Sequence, residues 1–337
     1  MTHRDVVVIG GSAGSHKPLA QVLARFPSDL PAVVLVVVHV APGARATLAE
    51  TLARACALPV RPAVDGTRLE PGAVHVAVPN RHLLVDDCAV LRVSDGPRQN
   101  LVRPAVDALF RSAARWCGPR TVGVILSGSL DDGSAGLAAI AAGGGVALVQ
   151  DPAEARFPGM PTAALRVVPD AETLPGFDLG DMIAEVVGKP VTAQSRPPEP
   201  LIWETDMLAY GASRTPDHGQ AVELGCPECR GGMYVVRTGL ADHYVCHVGH
   251  SYSPQSLLSV RDDNIEEAVW TAVSALLEKV VLLKKLAERA QAADDIEAAE
   301  KHRAEAGRAS RAATVLRNNL HLSDAENPVA HLLGHSY

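Results

Sequence analysis

Short apolar runs and amphipathic stretches alternate along the first 188 residues. The runs at 5–9, 32–38, 73–78, 82–86, 121–126 and 144–149 are rich in β-branched valine and isoleucine. Most lack the polar-apolar alternation of a half-exposed strand, which predicts strands buried on both faces. Between them, Ala- and Leu-rich segments at 16–26, 45–56, 103–116, 134–142 and 176–187 predict helices. Such alternation builds βαβ units, hence an α/β domain with a mainly parallel sheet covered by helices on both faces. The pattern stops at GKPVTAQSRPPEP, 188–200, whose proline and polar content predicts a linker. From 262 to about 318 the chain is helix-forming throughout. Ile265, Val269, Val273, Leu276, Val280 and Leu283 recur at spacings of four and three on one stripe. A second run carries a weaker apolar face of Ala298, Ala309, Ala312, Val315 and Leu316, and Asp294-Asp295 before it suits a helix cap. The two predict a helical hairpin, either self-packed or serving as a homo-oligomerisation or partner-docking coiled coil.

The expected division is therefore a large domain over 1–188, a linker over 189–220, a Cys/His-rich module over 221–260, a helical hairpin over 261–322 and a tail over 323–337. Apolar residues make up 47% of the chain, yet the longest run, AVVLVVVHV, is too short to span a bilayer, so no membrane insertion is expected. The N-terminus carries an early acid, Asp5, and no signal-peptide layout, which predicts a cytoplasmic protein. A net charge of −7 gives no electrostatic footprint for nucleic acid. Of six cysteines, Cys56, Cys88 and Cys117 stand singly among apolar neighbours and read as buried thiols, while three crowd near residue 230.

Candidate chemistry begins where the first strand ends, in VVVIGGSAGSHKPL, 6–19. A glycine turn between strand and helix cradles a phosphate or lifts a nucleophilic serine. The phosphate reading lacks its partners: the spacing is not GxGxxG, no acid ends the next strand, and no Walker Lys-Ser pair follows. Gly10-Gly11-Ser12-Ala13-Gly14 does satisfy G-x-S-x-G. Ser12 follows one predicted strand, His39 ends a second, and Asp132 follows a third. In an open parallel sheet the carboxyl ends of the strands share one edge, where ligands bind. Taken singly, Ser12 could cap a helix, His39 could be a satisfied core histidine and Asp132 could cap a turn. Jointly they favour a nucleophile, base and orienting acid.

These segments resemble the catalytic domain of CheB-type protein-glutamate methylesterases. IGGSAGS resembles that family's serine segment and VVHVAPG its histidine segment. DGPRQNLVRPAVDALFRSAA, 95–114, resembles its central helix segment, VGVILSGSLDDGSAGLAAI its aspartate segment, and RFPGMPTAAL the Gly-Met-Pro turn that follows. The resemblance spans 5–188 and implies a doubly wound, Rossmann-like sheet. It also implies Ser12 as nucleophile, His39 as base and Asp132 as orienting acid, the spacing to Gly133 selecting Asp132 over Asp131. Backbone N–H groups near Ala13 and Ser129 would hold the oxyanion, and catalysis would need no cofactor. The implied substrate is a methylated, chemoreceptor-like protein, with glutamine deamidation by the same acyl chemistry; a non-catalytic scaffold or an esterase for another substrate are the alternatives. Arg98 and Arg103 are candidates for contact with an acidic substrate helix or for a plain surface role. The aspartate segment departs from the family's T-G-M-G-x-D-G, reading Ser127-Gly128-Ser129-Leu130-Asp131-Asp132-Gly133. The family's receiver domain is not seen upstream of the first strand, so control by phosphorylation in cis is not expected.

Cys226-Pro-Glu-Cys229, then Cys246-His-Val-Gly-His250, has the spacing of a zinc ribbon or finger. Three thiolates and an imidazole fill a tetrahedral Zn²⁺, which predicts a structural ion with no open position. His247 is the alternative fourth ligand and a Cys226/Cys229 redox pair the alternative chemistry. Because a linker separates this module from the three triad candidates, it is expected to be separable from catalysis.

Overall fold

The computed structural model describes residues 2–41, 43–87, 90–191, 196–211, 219–238 and 241–324. The first 188 residues contain, in chain order, β1 (Val6–Gly11), α1 (His16–Ala24), β2 (Val33–Val38), α2 (Leu48–Ala53), β3 (Val60–Pro62), β4 (Ala73–Val76), β5 (His82–Asp86) and β6 (Val90–Ser94). They continue with α3 (Val106–Cys117), β7 (Thr121–Ile125), α4 (Ser134–Ala142), β8 (Val146–Gln150), α5 (Gly159–Val167), β9 (Glu172–Leu174) and α6 (Gly176–Val186). Seven strands form one sheet in the order β3-β4-β2-β1-β7-β8-β9, every pair parallel.

The valine runs become central strands because both of their faces are covered. Val6 and Val8 pack with Leu35, Val37, Leu109 and Phe110 on the α3 side. Val7 and Ile9 pack with Val34, Val36, Leu19 and Leu23 on the α1 side. Each fully buried valine or leucine side chain contributes roughly 1.5–3 kcal/mol. From β1 the chain builds β2, the edge strand β3 and then β4 on one side, and later β7, β8 and β9 on the other, so the strand order reverses between β1 and β7. At such a switch point the carboxyl ends of the strands open a crevice.

The expected strand at 82–86 forms, but outside this sheet, pairing antiparallel with β6 in a two-stranded hairpin. A parallel neighbour needs a crossover of a dozen residues or more, and the links on either side of β5 are far shorter. The edge strands β3 and β9 are only three residues long, too short to leave a periodic signal. The Gly-Met-Pro turn opens α5, with Pro161 in its first turn, where a missing N–H costs nothing.

A further helix, α7 (Glu199–Tyr210), forms within the expected linker and buries Leu201, Met207 and Leu208. Beyond it, β10 (Gln220–Gly225), β11 (Gly232–Thr238), β12 (Ala241–Cys246) and β13 (Ser251–Tyr252) make an antiparallel sheet. Buried charges tie these parts to the large domain. Arg111 of α3 donates to Glu204 of α7 at 3.2 Å and to Gln99 Oε1 at 3.0 Å, and Glu204 also pairs with His243 of β12. Removing one member of such a buried set leaves an uncompensated charge. The chain through Leu257 is one compact unit, and a second begins at Leu258.

Apart from the first residues of α8, which lie in the first unit, α8 (Pro254–Ala292) and α9 (Ile296–Asp324) make up the second and form the expected hairpin, with Leu276, Val280 and Leu283 against Ala306 and Ala309. Asp295 caps α9, its Oδ1 accepting the Ala298 N–H at 3.0 Å. The buried stripe is narrower than its apolar pattern: Ile265 and Val315 are exposed. Among the described residues no helix is long and apolar enough to cross a membrane. Cys117 is buried, Cys56 is half-buried, and Cys88 lies outside the described residues. The tail beyond residue 324 also lies outside them.

Candidate active site and metal cluster

β1 delivers Ser12, β2 delivers His39 and the loop after β7 delivers Asp132, all to the crevice at the switch point. His39 Nδ1 lies 3.0 Å from Ser12 Oγ, and His39 Nε2 lies 2.7 Å from Asp132 Oδ2. A carboxylate accepts only, so Nε2 carries the ring proton and Nδ1 is free to accept from the serine hydroxyl. Asp131 points elsewhere: it is buried, and its Oδ1 accepts from Ser253 Oγ at 2.6 Å and Ser256 Oγ at 3.2 Å.

Asp132 is held from four directions. Besides His39, its oxygens accept from Asn100 Nδ2 at 2.9 Å, Val106 N–H at 2.6 Å and Asp107 N–H at 3.1 Å. The last two are the first N–H groups of α3, so the carboxylate sits on that helix's positive end. Burial pushes the Asp132 carboxyl upward, but the bonds from His39, Asn100 and Val106 outweigh it and hold it below the ordinary range. Its neighbour Asp107 goes the other way. Burial, then the charge on Asp132, raises Asp107 to about 7.

Glycines make this convergence possible. A Cβ on Gly10 would lie 2.1 Å from Val106 Cγ1, so only glycine lets β1 approach the start of α3. A Cβ on Gly128 would lie 2.0 Å from Met160 Sδ and 2.9 Å from Ser12 Cβ. The 127–130 turn thereby runs close beside the serine, with Ser12 N–H donating to Ser127 O at 2.9 Å. Ala13 and Ser129 are both exposed beside Ser12, and no hydrogen bond engages their N–H groups among the described residues. Leu130 completes the turn at φ 60, where the family pattern has glycine.

Arg103 is engaged internally, donating to Asn80 Oδ1 and to the Asp95 and Gly96 carbonyls. Arg98 lies 3.9 Å from Glu228.

The ligating atoms of Cys226, Cys229, Cys246 and His250 lie within 4.8 Å of one another and could hold a metal ion. His250 Nδ1 faces Cys226 and Cys246 at 3.7 and 3.5 Å, and its Nε2 faces Glu228 at 3.5 Å. An imidazole whose second nitrogen meets a carboxylate is fixed in ring orientation, a common arrangement behind metal ligands. His247 is exposed and packs instead on Gly231, where a Cβ would lie 2.0 Å from its ring.

Asn100 and Asp107 lie within the 95–114 segment, yet no spacing or motif there singles out either as a site residue. Asn100 is a polar residue in a loop, and only its left-handed φ of 50 in the folded chain marks it.

Fold and site together define a doubly wound α/β domain with a Ser-His-Asp hydrogen-bonded chain at its switch point. The CheB methylesterase family profile matches residues 7–183, just over half of the chain, and the protein belongs to that family. It is 43% identical over 182 residues to protein-glutamate methylesterase/protein-glutamine glutaminase 2 of Anaeromyxobacter dehalogenans, covering 54% of this chain and 53% of that one. It is 38% identical over 186 residues to the protein-glutamate methylesterase/protein-glutamine glutaminase of Symbiobacterium thermophilum, covering 55% and 51%. The chain thus spans about half the length of these curated relatives. The crystal structure of the Thermotoga maritima CheB methylesterase catalytic domain is similar with a TM-score of 0.52 and 30% identity, over 54% of this chain and 98% of that one.

Proposed function

We propose that the protein is a serine hydrolase that demethylates glutamate γ-methyl esters on protein side chains and hydrolyses glutamine side-chain amides by the same route. The observation that carries this reading is the chain from Ser12 Oγ through His39 to Asp132 at the crevice. The activities for which the similar proteins are named support the substrate class. His39 Nδ1 takes the hydroxyl proton as Ser12 Oγ attacks the ester carbonyl, and Asp132 stabilises the imidazolium. The unpaired N–H groups of Ala13 and Ser129 receive the oxyanion; such a donor is worth about a hundred- to a thousandfold in rate. The tetrahedral intermediate collapses, the C–O bond to the methoxy group breaks, and methanol leaves with the proton from His39. Water, deprotonated by His39, then attacks the acyl-serine and releases the glutamate carboxylate and Ser12. With ammonia as leaving group, the same steps convert glutamine to glutamate.

In this reading residues 1–188 are the catalytic domain, acting in the cytoplasm on a methylated, chemoreceptor-like protein. Cys226, Cys229, Cys246 and His250, the last through Nδ1, hold one structural Zn²⁺ with no position left for water. The test is methanol release from a peptide carrying a glutamate γ-methyl ester. The full-length protein should release methanol in a Ser12-dependent manner, and Ser12→Ala should not. A folded wild-type protein that releases none, or a Ser12→Ala variant that matches it, overturns the reading.

A further inference from the structure

Asn100 stands between the triad aspartate and the Cys/His module, and its bonds run both ways. Its side-chain amide donates to Asp132 Oδ1 at 2.9 Å and to Asp107 Oδ2 at 3.0 Å, so both N–H protons face buried carboxylates. Its Oδ1 accepts the backbone N–H of Ser253 at 2.8 Å, and its own backbone N–H donates to Ser251 O at 2.7 Å. Ser251 immediately follows His250. The neighbouring contacts repeat the pattern: Gln99 Nε2 donates to Gly249 O at 2.9 Å, and Ser253 Oγ and Ser256 Oγ donate to Asp131. The segment 249–256 therefore grips both loops that carry the aspartate's support, 99–100 and 131–132.

The bond from Ser253 decides which way the amide faces. An asparagine has one accepting and one donating end, and here the donating end must meet two carboxylates. With Ser253 N–H on Oδ1, the reversed orientation would set that oxygen against Asp107 and Asp132 and leave a buried N–H unpaired. Asn100 is 7% exposed, so water offers no easy substitute.

We infer that Asn100 is a positioning residue for Asp132 and that the Cys/His module, through Gly249–Ser256, is part of the active-site support. This replaces the separability expected of a module that follows a linker. Whatever orders the Cys246–His250 turn orders Ser251 and Ser253, and through Asn100 it orders the acid behind His39. The inference rests on the hydrolase reading above.

The test is a double-mutant cycle in the full-length protein, read as kcat and KM for methanol release from the γ-methyl ester peptide. Fold is checked by circular dichroism and thermal melting, and Ser12→Ala gives the background. Asn100→Ala, which removes a hydrogen bond to a buried charge, should lower kcat about ten- to a hundredfold with KM little changed. Cys229→Ser, far from the reacting atoms, should also lower kcat rather than raise KM. Because both losses pass through Asn100, Cys229→Ser should cost little more in the Asn100→Ala background. Should Cys229→Ser fail to fold, Ser253→Pro takes its place, removing the backbone N–H that Asn100 Oδ1 accepts with the cysteines intact. Losses that multiply independently, or a kcat unchanged in either single variant, overturn the inference. A wild type without Ser12-dependent turnover overturns the hydrolase reading instead, so the two failures are distinguishable.

Discussion

Replacing Asp132 with asparagine tests the site most sharply, because the structure specifies what the amide must do. Oδ2 accepts from His39 Nε2 and Val106 N–H, and Oδ1 accepts from Asn100 Nδ2 and Asp107 N–H. An amide keeps one accepting end, so either orientation sets an NH2 against two donors. With the NH2 toward His39, the ring must give up its Nε2 proton and carry it on Nδ1, facing Ser12, where it can no longer act as base. With the NH2 toward Asn100 and Asp107, the hydrogen bond to His39 survives but the charge that stabilises the imidazolium is gone. Wrong-tautomer substitutions of this kind cost about 10⁴ in kcat, or about 5.5 kcal/mol at 1.36 kcal/mol per decade. Two buried donors left without acceptors cost roughly 1–3 kcal/mol each in stability. Asp132→Asn should therefore fold with a lowered melting temperature and lose three to four decades of methanol release, a range set by about one decade's tolerance on that figure. Fluorophosphonate labelling of Ser12 should slow in parallel. A folded Asp132→Asn protein that keeps more than a tenth of wild-type kcat would refute the triad assignment.

Three further outcomes are expected. Leu130→Gly should raise stability by about 0.5–1 kcal/mol in urea melts, since Leu130 is exposed and sits at φ 60, a region that costs a side-chain-bearing residue about 1–2 kcal/mol. Asp107, raised to about 7 in the fold, binds its proton more tightly folded than unfolded. Its contribution to stability is thus fully present below its unfolded value, near 4, and is lost as pH rises toward 7; Asp107→Asn should flatten that part of a stability-versus-pH curve. The purified protein should carry about one zinc per chain, as four protein ligands imply, and Cys226→Ser should lose it, as measured by elemental analysis.

The parts of the candidate site legible in the sequence are those that end strands. Ser12, His39 and Asp132 each follow an apolar run, and a parallel sheet brings all such ends to one edge. The helix α7, which follows the proline-rich stretch, is not legible because its buried Glu204 reads as solvent-facing until Arg111, far along the chain, is known to meet it. Nothing in the Ser/Gly/Asp turn marks Asp131 as buried, because the two serines that donate to it lie beyond residue 250. Asn100 was silent for the same reason. Hydrogen bonds across long separations leave no periodicity, so nothing local distinguishes a keystone amide from an ordinary loop residue.

The sheet order has a consequence for a chain emerging from the ribosome. β1 can pair with β2 almost as soon as both are made, since their registers begin at Val6 and Val33. Its other edge waits for β7, which begins only at Thr121. Until then Val6–Ile9 lie along an open strand edge beside an incomplete apolar core, the kind of surface that other nascent chains and chaperones bind. Over the same interval Ser12 and His39 already exist without Asp132. Assembly of the Ser12–His39–Asp132 hydrogen-bonded chain and closure of the sticky edge are then one event, the insertion of β7, and a substitution that slows this insertion would show first as lost yield during synthesis.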